Sequence, residues 1–351
     1  MKKVIYFMGV DWGWIFQRPH IIADFLDKEV DLTVVCTKQP FAKNRQNNVR
    51  PNHLIELVQI PFQEKIWIMG VIARAYNRYK VQSLKDYDII WIGYPMFERM
   101  IPKEYVGKIV YDCMDNFEAI YPDQSKRGIA KISDAEKRLL GKSDIVFASS
   151  QKLIEKLNNC ISKKIYLVRN GYIKEKISEP RSMKKKDKYV LGYIGTVSEW
   201  FDFDTISNSL LILSNIEYRI IGPVVTDRIS SCDKIVYEGV VEHSDLVESV
   251  EEIDCLIMPF VVNDIIQYVD PVKLYEYISW GRCIVACWYP EIDRFEDFVY
   301  FYHNKDEYVE IIKELISNGF MPKYTKRQQI EFLNSNSWND RFAQIKTYLE
   351  L

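Results

Sequence analysis

Nowhere in its 351 residues does this chain offer the ~20 consecutive apolar residues that a membrane-spanning helix needs, so it is expected to be soluble or at most peripheral to a membrane. Its opening, MKKVIYFMGV, carries two lysines and a short apolar run, but the run stops at Asp11 and no small-residue cleavage site follows. It reads as a first β-strand rather than a secretion signal. Net charge is nearly absent as well. At −2 overall, the chain lacks the excess of cations with which a general nucleic-acid binder neutralises phosphates, and no nucleic-acid partner is expected. A metal site finds no support, because Cys283 and Cys287 have no second pair at zinc-ligand spacing. The seven cysteines (Cys36, Cys113, Cys160, Cys232, Cys255, Cys283 and Cys287) form an odd set, several of them inside apolar runs such as LTVVC and DCLIMPF. They read as buried free thiols of a reducing, cytoplasmic compartment.

What the chain does have is apolar and aromatic content: 48% hydrophobic residues, with 23 Tyr and 8 Trp. The length and this composition imply two globular domains. The aromatic surplus serves core packing or stacking on sugar rings or bases. Charge is divided unevenly. Residues 1–180 hold 29 Lys+Arg against 21 Asp+Glu, a net of +8, which leaves 18 against 28, a net of −10, for the rest. The basic half is expected to face something acidic.

Short β-branched runs alternate with helical patterns throughout, the signature of α/β domains with parallel sheets covered by crossover helices. The first half predicts strands at KVIYFMG, DLTVVC, HLIELVQI, YDIIWIG, KIVYDCM, DIVFASS and KIYLVRN; the second predicts YVLGYIG, EYRIIG, KIVYEG, DCLIMPF and RCIVAC, with helices beginning near Asp202, Ser244, Pro271 and Asp306. Between the halves, Gly171 to Lys188 has no apolar period and is rich in lysine, so it reads as a linker. The expected domains are residues 1–175, residues 188–325, and a helical tail, 326–351, that crosses back towards the first domain.

Three turns of the second half fall at the carboxyl ends of predicted strands, where doubly wound sheets bind ligands. The first carries Gly195 and Thr196 and leads to a helix that Asp202 can cap. There a glycine lets a diphosphate approach the backbone and the free N–H groups of the helix; a bland strand-ending turn reads the same. The second carries Gly222 and Pro223, followed by Val240, which suit a base lying against the backbone or a plain connector. The third, VDPVKLYEYISWGRCIV, is more specific: after Asp270, Pro271 opens a helix on which Lys273, Leu274 and Glu276 follow. Lys273 and Glu276 are three apart and share one face, the cation placed for a diphosphate and the carboxylate for ribose hydroxyls; a surface salt bridge is the competing reading.

The run DPVKLYEYISWGRCIVA, together with YIGTVSEWFDFDTI, VRNGYI and WGWIFQRPHIIADFL, resembles the bacterial glycosyltransferases grouped around family 4, in particular the polysaccharide-assembling, teichuronic acid glycosyltransferase-like branch. The matches spread over almost the whole chain. The resemblance implies a GT-B fold, two Rossmann-like domains facing a central cleft, with the nucleotide on the C-terminal one and the acceptor on the N-terminal one. It implies a UDP- or GDP-linked sugar as substrate, no further cofactor, and transfer to a glycan or lipid-linked acceptor in cell-surface polysaccharide or capsule synthesis, with retention. It assigns Glu276 to the donor ribose. The family's first glutamate, eight residues earlier, falls at Tyr268, and the family's basic pair is missing from GTVSEWFDF, which leaves Lys273 as the chief phosphate cation. No divalent metal is implied, since Lys273 and a helix dipole can do its electrostatic work.

On the acceptor side, Trp12 and Trp14 suit a sugar platform or burial under their loop, Arg18 an anionic group, and Asp11 or His20 a proton acceptor. Asp115, after Asp112 in VYDCMDN, is expected beyond its strand as a third catalytic candidate, with a helix-capping role for it or Asn116 as the competing reading. In QEKIWIMGVIARAYNRYK, Ile68, Val71, Ile72, Ala75 and Tyr79 recur at helical spacing as a core face, while Trp67, Arg74 and Arg78 share another. That second stripe suits anionic lipid headgroups at the inner face of a membrane, or a plain solvated face. Two rival functions fit the same architecture: a nucleotide-sugar epimerase, for which only four histidines are available, and a non-catalytic subunit that partners a transferase.

Overall fold

The computed structural model describes residues 1–38, 49–58, 67–81, 83–173, 177–241 and 245–350. The chain divides into two compact units, Met1–Arg169 with Arg341–Leu351, and Asn170–Asp340.

The first unit is built on β1 (Lys3–Phe7), β2 (Asp31–Lys38), β3 (His53–Val58), β4 (Ile89–Ile92), β5 (Lys108–Cys113), β6 (Ile145–Ala148) and β7 (Ile165–Leu167). Among the described residues these form one sheet, ordered β3-β2-β1-β4-β5-β6-β7, with parallel pairing throughout. Its central strands are uninterrupted apolar runs because helices cover both faces of a parallel sheet: Val4, Ile5, Ile90, Trp91, Ile92, Val110 and Phe147 are all buried. The helices are α1 (Arg18–Leu26), α2 (Trp67–Lys80), α3 (Phe117–Ile120), α4 (Lys126–Lys142) and α5 (Gln151–Asn158). Ser125 and Ser150 cap α4 and α5 by accepting from Gly128 N and Leu153 N.

The second unit repeats the plan. Its strands β8 (Tyr189–Ile194), β9 (Ile216–Ile221), β10 (Ile235–Gly239), β11 (Cys255–Met258), β12 (Cys283–Cys287) and β13 (Tyr300–Tyr302) lie in the order β10-β9-β8-β11-β12-β13, again parallel. The short strand β13 was not foreseen. Helices α6 (Phe203–Ile212), α7 (Leu246–Glu251), α8 (Val272–Ser279), α9 (Lys305–Asn318) and α10 (Lys326–Ser335) belong to it. The helix expected near Ser244 begins at Leu246 in the structure, and Ser244 itself lies outside the described residues. A last helix, α11 (Trp338–Leu349), ends in the first unit, where Phe342 stacks on Phe25 and Lys346 pairs with Glu29.

The lysine-rich stretch read as a linker is bonded onto the second unit, with Ser178 N, Arg181 N and Met183 N donating to Ser279 O, Gly281 O and Gly319 O. Gly281 and Gly319 sit at φ +67° and +70°, and a side chain on either would strike this segment's backbone.

Two expectations are corrected. Cys160 and Cys232 are exposed, while the other five cysteines are buried. More consequentially, the apolar stripe of α2 faces solvent: Ile68 is 58%, Ile72 55% and Tyr79 70% exposed. The helix is held instead through its small and polar side. Ala73 is buried, Asn77 exchanges two hydrogen bonds with the Val58 backbone, and Lys80 donates to Glu56 O. The side chains of Trp67 and Arg74 lie outside the described residues.

Helix α9 offers a local test. The Asn304 side chain accepts from both Asp306 N and Glu307 N, at 3.1 and 3.0 Å. Asn304→Ala is expected to cost about 1 kcal/mol, read as a lower urea midpoint with an unchanged slope.

Candidate functional site

In each unit the strand order reverses direction between two neighbours, β1 and β4 in the first and β8 and β11 in the second. Loops leaving such a switch point diverge and open a crevice at the strands' carboxyl ends. Of the sequence-predicted residues, Asp11, Trp12, Trp14, Gly195, Thr196, Asp270 and Pro271 fall on these loops; Asp115, Gly222, Pro223 and Val240 follow other strands of the same sheets, and Arg18, His20, Lys273, Leu274 and Glu276 lie on the helices α1 and α8.

In the second unit three strands end on glycine in left-handed or mirror-extended backbone: Gly195 (φ +145°), Gly222 (φ +133°) and Gly239 (φ +74°). Their exits are tied together, Gly195 N donating to Ile221 O and Gly222 N to Gly239 O. The backbones are so close that a Cβ on Gly222 would stand 2.3 Å from Gly195 O. Val197 N donates to Pro223 O, and the Tyr193 hydroxyl holds Thr196 O at 2.8 Å. Asp202 caps α6 as expected, accepting from Thr205 N.

Lys273 lies across this platform. A Cβ on Gly195 would meet its Cε at 2.0 Å and its Nζ at 2.6 Å, and the ammonium stands 5.9 Å from the centre of the Tyr193 ring. Burial pushes the lysine pKa down, opposed by the nearby Glu276 carboxylate. Both residues are half-buried on the exposed side of α8, whereas Leu274 is fully buried and has only its backbone to offer a ligand. Pro271 is the N-cap of α8, so the free N–H groups of the first turn open beside Lys273. Val240, at 50% exposure, is at the open edge of the platform.

Asp270 is corrected from ligand to anchor. Its buried carboxylate pairs with Arg294 and accepts from Asn170 N, and its carbonyl accepts from the Asn170 side chain. Arg294 also donates to the Tyr275 hydroxyl and to Glu291 O. Arg294 was not foreseen; it follows a proline in a short 3-10 turn and no motif marks it.

In the first unit the loop after β1 closes on itself. Asp11 is buried and accepts from Gly13 N, and Trp14 N donates to Asp11 O. Trp12 is 3% exposed and donates from its indole to Val49 O, so it packs under the loop rather than forming a platform; Trp14 is half-buried. His20 is fully buried, with Nδ1 against Gln17 N, Nε2 against Trp12 O, and the Trp12 ring 5.0 Å away. Burial lowers its pKa. The neutral ring spends both nitrogens in pinning the loop, which corrects its expected role as a base. Arg18 is likewise turned inward. It makes a bidentate pair with Asp112, at 2.7 and 3.1 Å, and donates to Val168 O, which leaves its expected anionic acceptor group without a fork.

Asp115 differs from these. It lies beyond β5, half-buried, and burial raises its carboxyl pKa to about 7 against the opposing pull of Arg18. It caps no helix, and Asn116 instead accepts from Lys156, which also pairs with the buried Glu136. Among the described residues no cluster of three or more His, Cys, Asp or Glu is placed to hold a metal ion.

No family model matches the chain. A protein of Bacillus subtilis (strain 168), assigned to teichuronic acid biosynthesis as the glycosyltransferase TuaH, is 23% identical, over 96% of this chain and 94% of its own length. The fold matches HepE of Anabaena, solved in complex with UDP-glucose, at a TM-score of 0.71 and 13% identity over the whole of both chains. It also matches sucrose-phosphate synthase of Thermosynechococcus elongatus at a TM-score of 0.70 and 12% identity, over 100% of this chain and 98% of the other.

The glycine platform makes a direct prediction. Gly195→Ala forces an L side chain into φ +145° and against Lys273. It is expected to cost about 1–3 kcal/mol, read in denaturant unfolding as a lowered midpoint. In fold the chain is a GT-B protein, two parallel-sheet Rossmann-like units, and over nearly all of its length it is similar to glycosyltransferases.

Proposed function

We propose that the protein transfers a sugar from a nucleoside-diphosphate sugar, held on the second unit, to a glycan or lipid-linked acceptor in cell-surface polysaccharide synthesis. The observation that carries the reading is the placement of Lys273, a half-buried cation laid over the glycine exit of β8 at the first turn of a helix, with Glu276 one turn on. In this reading the diphosphate lies on the Gly195 and Gly222 backbone, neutralised by Lys273 and the N-terminus of α8. Pro223 and Val240 border the base, and Glu276 accepts from the ribose hydroxyls. The UDP-glucose complex of the Anabaena structure supports a UDP-linked donor; a GDP-linked one is the alternative. The Bacillus relative's assignment supports an anionic wall polymer or its lipid-linked precursor as acceptor, met at the inner face of the membrane.

The chemistry breaks the anomeric carbon–oxygen bond to the diphosphate and forms one to the acceptor oxygen. Charge grows on the departing phosphate, where Lys273 and the helix dipole stabilise it, so the reaction is read as metal-independent. Retention follows if the departing phosphate oxygen takes the acceptor proton. Asp115, ionised, orients that hydroxyl by accepting its hydrogen bond.

Two measurements test this. Wild type is expected to gain about 2.7 kcal/mol of apparent stability with UDP or UDP-sugar at a hundred times its dissociation constant, and Glu276→Ala to lose most of that shift. Silence towards every nucleotide would instead favour a non-catalytic partner subunit, and product formed from donor alone an epimerase. The second is a pH profile. A carboxyl with a pKa of about 7 is ionised above it, so kcat/KM is expected to rise through pH 7 and level off. Asp115→Asn should abolish the rise and lower the plateau about a hundredfold; an unchanged limb in the variant would remove Asp115 from the reaction.

A further inference from the structure

The outward apolar stripe of α2 is the largest departure from sequence expectation. Ile68, Val71, Ile72, Tyr76 and Tyr79 are 58, 40, 55, 48 and 70% exposed. At spacings of three and four residues they form a single face along all four turns of the helix. A soluble protein ordinarily turns such a face inward. Here the inward side is occupied by Gly70 and Ala73, with Asn77 and Lys80 bonded to the backbone of the edge strand β3. These contacts fix the helix's roll, so the stripe is not free to turn inward.

The charges select the occupant. Between Trp67 and Lys80 the helix carries not one acidic residue; Lys80 is spent on the Glu56 carbonyl, and Arg78 is exposed. A face meant for another protein is ordinarily depleted of charge or rimmed with both signs. A helix that is apolar on one side and purely cationic beside it matches a bilayer surface with acidic headgroups, apolar side chains in the acyl boundary and basic ones at the phosphates. The excess of +8 over residues 1–180 adds a field of the same sign.

We infer that α2 is an in-plane membrane anchor, which inserts Ile68, Ile72, Tyr76 and Tyr79 into an acidic phospholipid surface. This deepens the proposed membrane-side acceptor and rests on that reading for its purpose. It replaces a contact through the Trp67, Arg74 and Arg78 stripe with insertion of the apolar stripe beside it.

The test is co-sedimentation of the full chain with vesicles of phosphatidylcholine, with and without phosphatidylglycerol. Wild type is expected to pellet with the acidic vesicles. Ile72→Ser combined with Tyr79→Ser should lower the partition coefficient by at least about tenfold. Arg78→Ser should lower it about fivefold on acidic vesicles and leave neutral ones unchanged. All these residues are exposed, so the variants should keep the wild-type melting temperature and the wild-type shift with UDP. Equal partition of wild type and the Ser double variant would overturn the anchor. So would wild type that ignores vesicles yet self-associates in light scattering while the double variant stays monomeric, because the face would then belong to a second copy. Vesicle binding without any nucleotide-induced shift would sustain the anchor and strike the transferase reading alone.

Discussion

A parallel strand cannot return to its own sheet by a hairpin; each must be followed by a crossover, so every strand of a parallel sheet ends on the same side. That constraint organises both units. It gathers the exits of β8, β9 and β10 into three adjacent glycine turns, and it sets the loop after β1 near the one after β4, close enough that a Cβ on Gly9 would strike Tyr94. A glycine at such an exit leaves the main chain uncovered. The second unit thereby presents a platform of backbone rather than side chains, suited to a ligand that is itself bulky and charged.

Backbone platforms need rigid edges, and here buried charge supplies them. Arg18 with Asp112 ties the start of α1 to β5, and Arg294 with Asp270 ties the turn before α8 to the chain around Asn170. Neither pair is a strong argument for stability, since desolvation offsets most of the attraction between buried ions. Their geometry matters more. Arg18 grips both oxygens of Asp112, and the two oxygens of Asp270 are shared between Arg294 and Asn170 N, so each carboxylate is satisfied on two sides and fixes the chain that leads into a strand-end loop. Arg18 and Asp270 are thus better described as positioning residues than as ligands.

The same distinction marks what was legible in the sequence. The predicted strands were all found, because apolar β-branched runs bounded by turn residues have few other uses in a protein of this size. The glycine exits and Pro271 were legible for a conformational reason, the absent Cβ and the fixed φ. Polar residues were harder, because a side chain's type does not say who its partner is: His20, Arg18 and Asp270 could each have met a ligand, and each instead meets a residue distant in sequence or a local carbonyl. The helix α2 shows the limit of periodicity most sharply. Spacing identified which residues share a face, but a face does not say whether protein lies against it. The deciding contacts were those of Asn77 and Lys80 with the backbone of β3, and nothing in the pattern of apolar residues announces them.

Lys273 joins these threads. Burial disfavours its ammonium, and Glu276 only partly restores it. A lysine whose pKa is depressed in the folded state holds its proton less tightly there than in the unfolded chain, so charging it weakens the fold at neutral pH. Under the proposed function, an anion laid on the Gly195 backbone would reverse the balance. It brings negative charge within reach of the ammonium, raises the lysine's pKa, and turns an unfavourable burial into a binding term. By linkage the anion must then bind best below the lysine's pKa and lose affinity as pH rises through it. The half-buried cation is therefore poorly explained by stability, and the proposed function supplies the phosphate that would account for it.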